Sequence, residues 1–280
     1  SDVCSSDLPD IFDGVTEAIG EVGGFSITVR DDLRIYPIQT AEKGIRWLRL
    51  RARDRAGHGS MLHHDNAVTE LCEAVTRIGR HRWPVRRTKT VDRFLSELSE
   101  VYGVDLTNGD TEELLKRLGT LGLLVGATMQ NTANPTMLQA GYKHNVIPGE
   151  ATASIDGRVL PGYEHEFEAT IRELVGDGIE VEMVNEGIAL EAPFDTATVD
   201  LMASVLRAED PAARPMPYMI SGGTDAKAFA RLGIECYGFS PLQMPAGLDY
   251  WRLFHGVDER VPVDGLTFGV RVLDRFLRSC

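Results

Sequence analysis

Phe254-His255-Gly256, close to the end of the chain, sets one imidazole between an apolar anchor and a flexible neighbour. A side chain held that way can be aimed into a cleft, and neutral imidazole nitrogen is a preferred ligand of zinc. Glu21 stands just before Val22-Gly23-Gly24, where glycines let the backbone approach a site and the carboxylate offers a second kind of zinc donor. Ser221-Gly-Gly-Thr-Asp225 reads as a tight turn entering a helix, with Gly223 and Thr224 at its centre. Backbone N–H groups at such a turn favour an anion or a developing oxyanion. His58, in Ala56-Gly-His-Gly-Ser60, is a candidate single catalytic imidazole. His63 and His64 do not share a helix face with it and a third partner, so the three are not taken as a metal site. Asn145, in Asn145-Val-Ile-Pro148, can orient a substrate carbonyl. Arg158, in Asp156-Gly-Arg158, can grip a terminal carboxylate through two parallel hydrogen bonds. Each residue also has an ordinary alternative. These are a surface or capping role for His255, a solvated acid for Glu21, a plain loop capped by Asp225 for the glycine turn, and turn capping with a surface ion pair for Asn145 and Arg158.

The elements that must position these groups follow from periodicity. Pro9–Gly24 reads as a short helix or loop, Phe25–Val29 as a strand, and Leu33–Pro37 as its partner. Ile45–Arg53 alternates, with Leu48, Leu50 and Ala52 on one face and Arg49, Arg51 and Arg53 on the other, the mark of a half-buried strand. Asp65 is the expected cap of a helix facing inward through Val68, Leu71, Cys72, Val75 and Ile78. Two further helical patterns run through Val91, Phe94, Leu95, Leu98 and Val101, and from Asp110 with Glu113 as a capping-box variant. Strands over 136–142 and 150–155, a helix Glu164–Val175 closed by Gly176, and a strand Ile179–Val184 complete a split β-α-β pattern. Thereafter helices at Asp195–Arg207 and from Asp225, a buried strand Ile234–Phe239 and a C-terminal helix Val263–Leu277 read as an α/β layer. That last helix is expected to point Leu266, Val270, Leu273 and Leu277 inward.

A length of 280 residues allows two domains, and a net charge of −13 argues against nucleic-acid or anionic-membrane partners. No apolar run reaches the roughly 18 residues that span a bilayer, and no secretory leader is evident. The four cysteines form no Cys-x-x-Cys pair, which fits reduced thiols in a cytoplasmic protein. The first eight residues, Ser1 to Leu8, match one reading frame of a short-read sequencing adapter codon by codon, so native sequence is expected to begin mid-gene at Pro9.

Taken in order, Glu-x-Gly-Gly at 21–24, Gly-His-Gly-Ser at 57–60, Asn-x-Ile-Pro with Asp-x-Arg at 145–158, Gly-Gly-Thr-Asp at 222–225 and His-Gly-x-x-Glu at 255–259 resemble one family. It is the aminoacylase / carboxypeptidase G / succinyl-diaminopimelate desuccinylase family of co-catalytic zinc hydrolases. The resemblance covers nearly all of Pro9–Leu277. It implies an α/β catalytic domain (9–41 and 190–280, incomplete here) with an inserted ferredoxin-like lid and dimerisation domain at 42–189. It also implies two zinc ions, cobalt or manganese being alternatives, and a hydroxide activated by a glutamate base to attack an amide carbonyl. By motif match Glu21 would bind one metal and His255 the other. His58 would stabilise the oxyanion, reaching across a homodimer formed through the lid. Asn145 and Arg158 would hold an N-acyl amino acid or short peptide by its carbonyl and free carboxylate, and Gly223 and Thr224 would line the pocket. The family's early His-x-Asp motif, bridging aspartate and paired glutamates are absent, and the resemblance implies that all three would lie before Pro9. The chain by itself is therefore expected to hold zinc poorly and to be inactive. Two rivals remain at this point. One is a non-catalytic dimerising lid fragment. The other is a serine hydrolase using Ser60 or Ser240 with His58 or His255, although no Gly-x-Ser-x-Gly elbow occurs.

Overall fold

A computed structural model describes residues 7–30, 33–109, 111–118, 120–248, 250 and 253–280. A 3-10 turn at Pro9–Phe12 leads into strands β1 (Glu17–Gly20), β2 (Ile27–Arg30), β3 (Leu33–Glu42), β4 (Gly44–Arg53) and β5 (Gly57–His58). Helices α1 (Ala67–Arg80), α2 (Lys89–Tyr102), α3 (Thr111–Leu118) and α4 (Thr120–Thr128) follow. Next come β6 (Thr132–Ala140), β7 (Val146–Ile147), β8 (Glu150–Val159), α5 (Glu164–Val175), β9 (Ile179–Gly187) and β10 (Leu190–Glu191). The last part carries α6 (Ala197–Glu209), β11 (Ala213–Ile220), α7 (Ala226–Ala230), β12 (Glu235–Gly238) and α8 (Val263–Leu277). No helix among the described residues is long and apolar enough to cross a membrane.

The chain divides into two compact units. The first comprises Ser1–Glu42, Lys89–Leu114 and Glu191–Cys280; the second comprises Lys43–Thr88 and Leu115–Leu190. Lys89–Leu114, which the sequence reading counts with residues 42–189, thus groups with the first unit. The cause is packing: α2 lies on β11, with Phe94 edge-on to Tyr218 at 6.1 Å.

In the first unit β3 is the axis. It pairs in parallel with β11 and antiparallel with β2 and, at Gln39–Gly238, with β12; β1 runs parallel to β12. From Ile35 onward β3 is buried on both faces, as a strand covered on both sides must be. Tyr36, Ile38, Met202, Leu206, Phe239 and Phe268 are among the residues of its core. Two expectations are corrected here. Residues 9–24 contain the strand β1, whose four residues alternate only between exposed and half-buried and so carry no apolar signal. α8 buries Phe268, Val272 and Phe276, while Leu266, Val270 and Leu277 are exposed and Leu273 packs only partly. Gly265 and Gly269 explain that rotation: a Cβ on either would lie 2.9 Å from the Gln243 carbonyl oxygen or 3.0 Å from that of Pro241. The glycine side of α8 is the one that can approach the preceding loop.

The second unit is a four-stranded antiparallel sheet in the order β6-β8-β4-β9. With α1 and α5 in the crossovers this is the ferredoxin-like sandwich expected from the split β-α-β pattern. β4 is central and registers with β8 from Gly44–Val159 to Arg53–Glu150. Leu48, Leu50 and Ala52 join Leu71, Ile78, Phe167 and Ile171 in the core. On the open face Arg49, Arg51 and Arg53 pair across strands with Glu150, Glu180 and Glu182. α1 is capped by Asn66, whose side chain accepts from the Val68 N–H at 2.9 Å, rather than by Asp65. Cys72, expected inward, is exposed. The capping box expected at Asp110 lies outside the described residues.

Candidate functional site

Glu21 follows β1 on a loop that only glycine can close. Gly23 and Gly24 adopt φ of 95° and 81°, and a Cβ on Gly23 would sit 2.8 Å from the Gln39 backbone nitrogen and 2.9 Å from the Gly238 oxygen. The loop is tied down by Gly24 N–H to the Pro37 carbonyl at 2.7 Å and Ser240 N–H to the Gly23 carbonyl at 2.6 Å. It thereby lies against β3 and β12 and leaves the Glu21 side chain exposed on a small cavity shared with Gln39, Thr224, Asp225, Cys236 and Tyr237. The Cys236 thiol in that cavity is pushed up to about 11, by burial first and by the negative Glu42 second, and stays protonated at neutral pH.

Thr224 is held by a residue that the sequence reading did not single out. The Glu42 side chain, at the end of β3, is fully buried. It accepts from the Thr224 hydroxyl, from the Thr224 N–H at 3.1 Å, from Gln39 Nε2 at 2.7 Å and from Lys227 Nζ at 3.1 Å. The Thr224 oxygen in turn accepts from the Ala226 N–H at 3.2 Å, so Thr224, not Asp225, caps the short α7 through its side chain. Both donors of Thr224 are thus committed to Glu42, while Gly223 is exposed beside them. The signal for Glu42 was present as an acid ending an apolar strand, but its partners are remote in sequence.

His255 lies on an exposed loop with φ of 57°, in the left-handed region. Its N–H donates to Glu259 Oε2 at 3.2 Å. The Phe254 ring beside it packs edge-on to Tyr250 at 4.9 Å and to Phe25 at 6.0 Å. A non-glycine residue held at positive φ carries a conformational cost of about 1–2 kcal/mol, which is a pointer toward function. His255 is not among the residues lining the Glu21 cavity.

In the second unit the short antiparallel pair of β5 and β7 brings His58 and Asn145 together. Gly57 pairs with Ile147 and His58 with Val146, and Gly59 N–H donates to the Asn145 carbonyl at 2.9 Å. His58 Nε2 lies 3.3 Å from Asn145 Nδ2, and Nδ1 lies 2.8 Å from Ser60 Oγ and 3.3 Å from the Ser60 nitrogen. Nδ1 accepts from the Ser60 N–H, which leaves the ring proton of a neutral imidazole on Nε2, so Nε2–H and the Asn145 carboxamide nitrogen stand side by side as two donors. Both side chains are exposed, so a substrate carbonyl oxygen can reach the two donors.

Arg158 is half-buried on β8 and engages Asp156, with Nε to Oδ1 at 2.8 Å and Nη2 to Oδ2 at 3.2 Å. Lys43 is buried nearby in the same unit. Its ammonium donates to the carbonyl of Ala127 in the last turn of α4 at 3.0 Å and to that of Gln130 just beyond it at 2.7 Å. Burial, and secondarily the positive Arg158, push Lys43 down to about 7 against an opposing pull from Asp156.

Residues 40–183 match the family model of the peptidase dimerisation domain. The chain belongs to the M20 peptidase dimerisation family. It is 26% identical over 265 residues to "Probable carboxypeptidase S-like 2" of Dictyostelium discoideum, covering 91% of this chain and 47% of that protein. It is 25% identical over 254 residues to human "N-fatty-acyl-amino acid synthase/hydrolase PM20D1", covering 86% of this chain and 50% of the relative. The M20 family metallo-carboxypeptidase Sso-CP2 of Sulfolobus solfataricus superposes with a TM-score of 0.67 at 15% identity, over 99% of this chain and 66% of that one. The chain spans about half the length of the curated relatives it matches. The matched stretch contains Glu42, His58, Asn145 and Arg158; Glu21, Gly223, Thr224 and His255 lie outside it.

A protein zinc site takes three or four ligands from the chain. Among the described residues no group of three or more His, Cys, Asp or Glu side chains could hold an ion. Glu21 and His255 have the right donor atoms but do not by themselves complete a centre.

Proposed function

We propose that the gene encodes a metal-dependent hydrolase of amide bonds in N-acyl amino acids or short peptides, and that this chain supplies its substrate-holding groups. The observation that carries the reading is the His58–Asn145 pair, two exposed polar side chains 3.3 Å apart on the antiparallel pair of β5 and β7. In this reading the Nε2 proton of His58 and the carboxamide of Asn145 bind the carbonyl oxygen of the scissile amide, and stabilise it as negative charge develops. Arg158 takes the free carboxylate of the substrate. Gly223 and Thr224 line the pocket, with Glu42 fixing Thr224. Glu21 and His255 each contribute one ligand to one of two ions (zinc, with cobalt or manganese as alternatives), the remaining ligands and the glutamate base coming from outside the residues described. The names of the relatives, one a carboxypeptidase-like protein and one a synthase/hydrolase of N-fatty-acyl amino acids, agree with this substrate class. A homodimer formed through the second unit belongs to the same proposal, as does a reducing, cytoplasmic setting for the free thiols of Cys72, Cys236 and Cys280.

The test has two arms. The 280-residue chain is expected to show no chelator-sensitive hydrolysis of N-acetyl amino acids and far less than one zinc per chain by elemental analysis. The full reading frame of the gene, expressed with zinc, is expected to hydrolyse them, and to lose at least about a hundredfold in rate on His58→Ala, the scale of removing one oxyanion donor. Near-stoichiometric zinc in the chain refutes the ligand assignment, and an inactive full-length protein refutes the hydrolase reading.

A further inference from the structure

The open face of the second unit's sheet carries a three-residue arrangement around Arg158. Trp47 on β4 stands directly opposite Asp156 on β8. Its indole Nε1 donates to Asp156 Oδ1 at 3.1 Å, and the same carboxylate takes the Nε and Nη2 of Arg158 in the paired contact described above. Gly157 between them is clamped from the other face: a Cβ there would lie 2.5 Å from Phe167 Cζ and 2.6 Å from the Arg46 carbonyl oxygen. The backbone at this point is therefore pressed against the core, and both flanking side chains must leave on the open face together.

A guanidinium has five N–H donors in a planar fork. The Asp156 contact uses the side-on edge, Nε and one Nη2 hydrogen, and leaves the end-on edge, both Nη1 hydrogens and the second Nη2 hydrogen. That edge matches a second carboxylate in the same two-bond geometry. The Arg158 side chain is 24% exposed and that of Asp156 33%, so the pair is neither sealed in the core nor free in solvent.

We propose that Asp156 is the positioning residue of Arg158: it grips the side-on edge so that the end-on edge faces a ligand carboxylate, and Trp47 fixes the plane of Asp156. This rests on the reading that Arg158 takes the substrate carboxylate. It makes Asp156 a holder of the fork and not a competitor for it, and the two roles predict opposite signs.

The test compares N-acetyl-L-phenylalanine with its carboxamide as ligands of the 280-residue chain, by calorimetry and by the Arg158 Nε–H resonance in nitrogen-15 spectra. The unsubstituted chain is expected to prefer the acid by roughly tenfold, the scale of a charge-assisted paired hydrogen bond. Arg158→Ala abolishes the preference. Asp156→Asn reduces it to about threefold or less, Trp47→Phe reduces it by a smaller factor, Asp156→Glu restores part of it, and Asp156→Asn adds nothing in the Arg158→Ala background. Carboxamide binding stays unchanged in every variant, which separates positioning from damage to the fold. The proposal is overturned if Asp156→Asn keeps or raises the acid preference, if acid and amide weaken equally, or if the unsubstituted chain shows no preference. None of these outcomes depends on turnover: an inactive full-length protein with an intact acid preference would sink the hydrolase reading and leave this one standing.

Discussion

Replacing Glu42 by alanine is the sharpest test of how the glycine turn at 221–225 is held. The substitution removes the common acceptor of four donors: the Thr224 hydroxyl, the Thr224 N–H, Gln39 Nε2 and Lys227 Nζ. The Glu42 side chain is fully buried and that of Lys227 is 12% exposed, so the ion pair sits away from bulk water. Taking one member from a buried pair costs about 3–5 kcal/mol, because the other charge keeps its desolvation penalty. Each neutral donor left without an acceptor would add about 1–3 kcal/mol if water could not reach it. Thr224 is half-buried and lines the Glu21 cavity, so water can take up part of that loss. With that donor loss largely taken up by water, the expected cost of Glu42→Ala is about 3–5 kcal/mol. Glu42→Gln keeps the volume and one acceptor oxygen but turns an amide toward donors, for about 1–2 kcal/mol, and Thr224→Val costs about 1 kcal/mol. Urea unfolding followed by circular dichroism reads these as midpoint shifts; with a slope of about 2–3 kcal/mol/M the alanine variant should move by about 1–2.5 M. If Glu42→Ala costs under about 1 kcal/mol, or less than Thr224→Val, the carboxylate is not the hub of this network and the reasoning fails.

Gly23→Ala places a Cβ 2.8 Å from a backbone nitrogen at a φ of 95°, and is expected to cost more than about 1 kcal/mol while displacing the Glu21 loop, seen as amide shifts at Gln39 and Gly238 in two-dimensional spectra. Lys43 is depressed to about 7 in the fold, against an ordinary 10.5. The unfolded chain therefore binds more protons across that window, and stability rises as pH goes up from about 7. Between about pH 7.5 and 9 the gain attributable to Lys43 is about 1–2 kcal/mol, and Lys43→Met should flatten that part of the urea-midpoint profile. Asp210 behaves as an acid-side counterpart. Burial alone would raise its carboxyl, but the Arg34 fork and the Tyr36 hydroxyl at 2.8 Å together outweigh burial and hold it below the ordinary 3.8. Its contribution is present above that value and is lost as pH falls below it. Arg34→Met should cost about 2–4 kcal/mol at about pH 7 and remove the corresponding slope from acid unfolding.

How much of this was legible in the sequence depends on whether the signal was local. The alternation of Leu48, Leu50 and Ala52 with arginines fixes β4 because sheet faces repeat every two residues, whereas the pairing of β5 with β7 was not expected, since two-residue strands carry no periodicity and His58 and Asn145 stand 87 positions apart. β11 was invisible for a reason that becomes clear only with its partner in place. Pro215 and Pro217 break any strand pattern, yet two residues apart their missing N–H groups fall on a single edge, and the opposite edge remains able to bond β3 along Ala213–Ile220. α8 offered two apolar stripes, and the choice between them was made by Gly265 and Gly269, whose meaning lies in the carbonyls of Gln243 and Pro241.

Glu42 is the extreme case. Nothing within three residues but Gln39 tells that it is paired, because Thr224 and Lys227 reach it only after the chain has gone through the second unit and returned. What the sequence does contain is an adjacent acid and base, Glu42 and Lys43, at the close of a strand buried on both faces. A buried charge must find partners or neutralise. Glu42 finds four donors in the first unit, and Lys43 finds two carbonyls in the second and drops to about 7. The two adjacent residues thus mark the point where the backbone passes from one unit to the other, and each charge is satisfied inside its own unit. On that argument the charge-exchanged double variant, Glu42→Lys with Lys43→Glu, should disrupt both units at once. It sets an ammonium against the Lys227 ammonium and a carboxylate against two carbonyl oxygens, and limited proteolysis should then cut in both units. Glu42→Gln or Lys43→Met alone should open only the unit that holds the altered side chain.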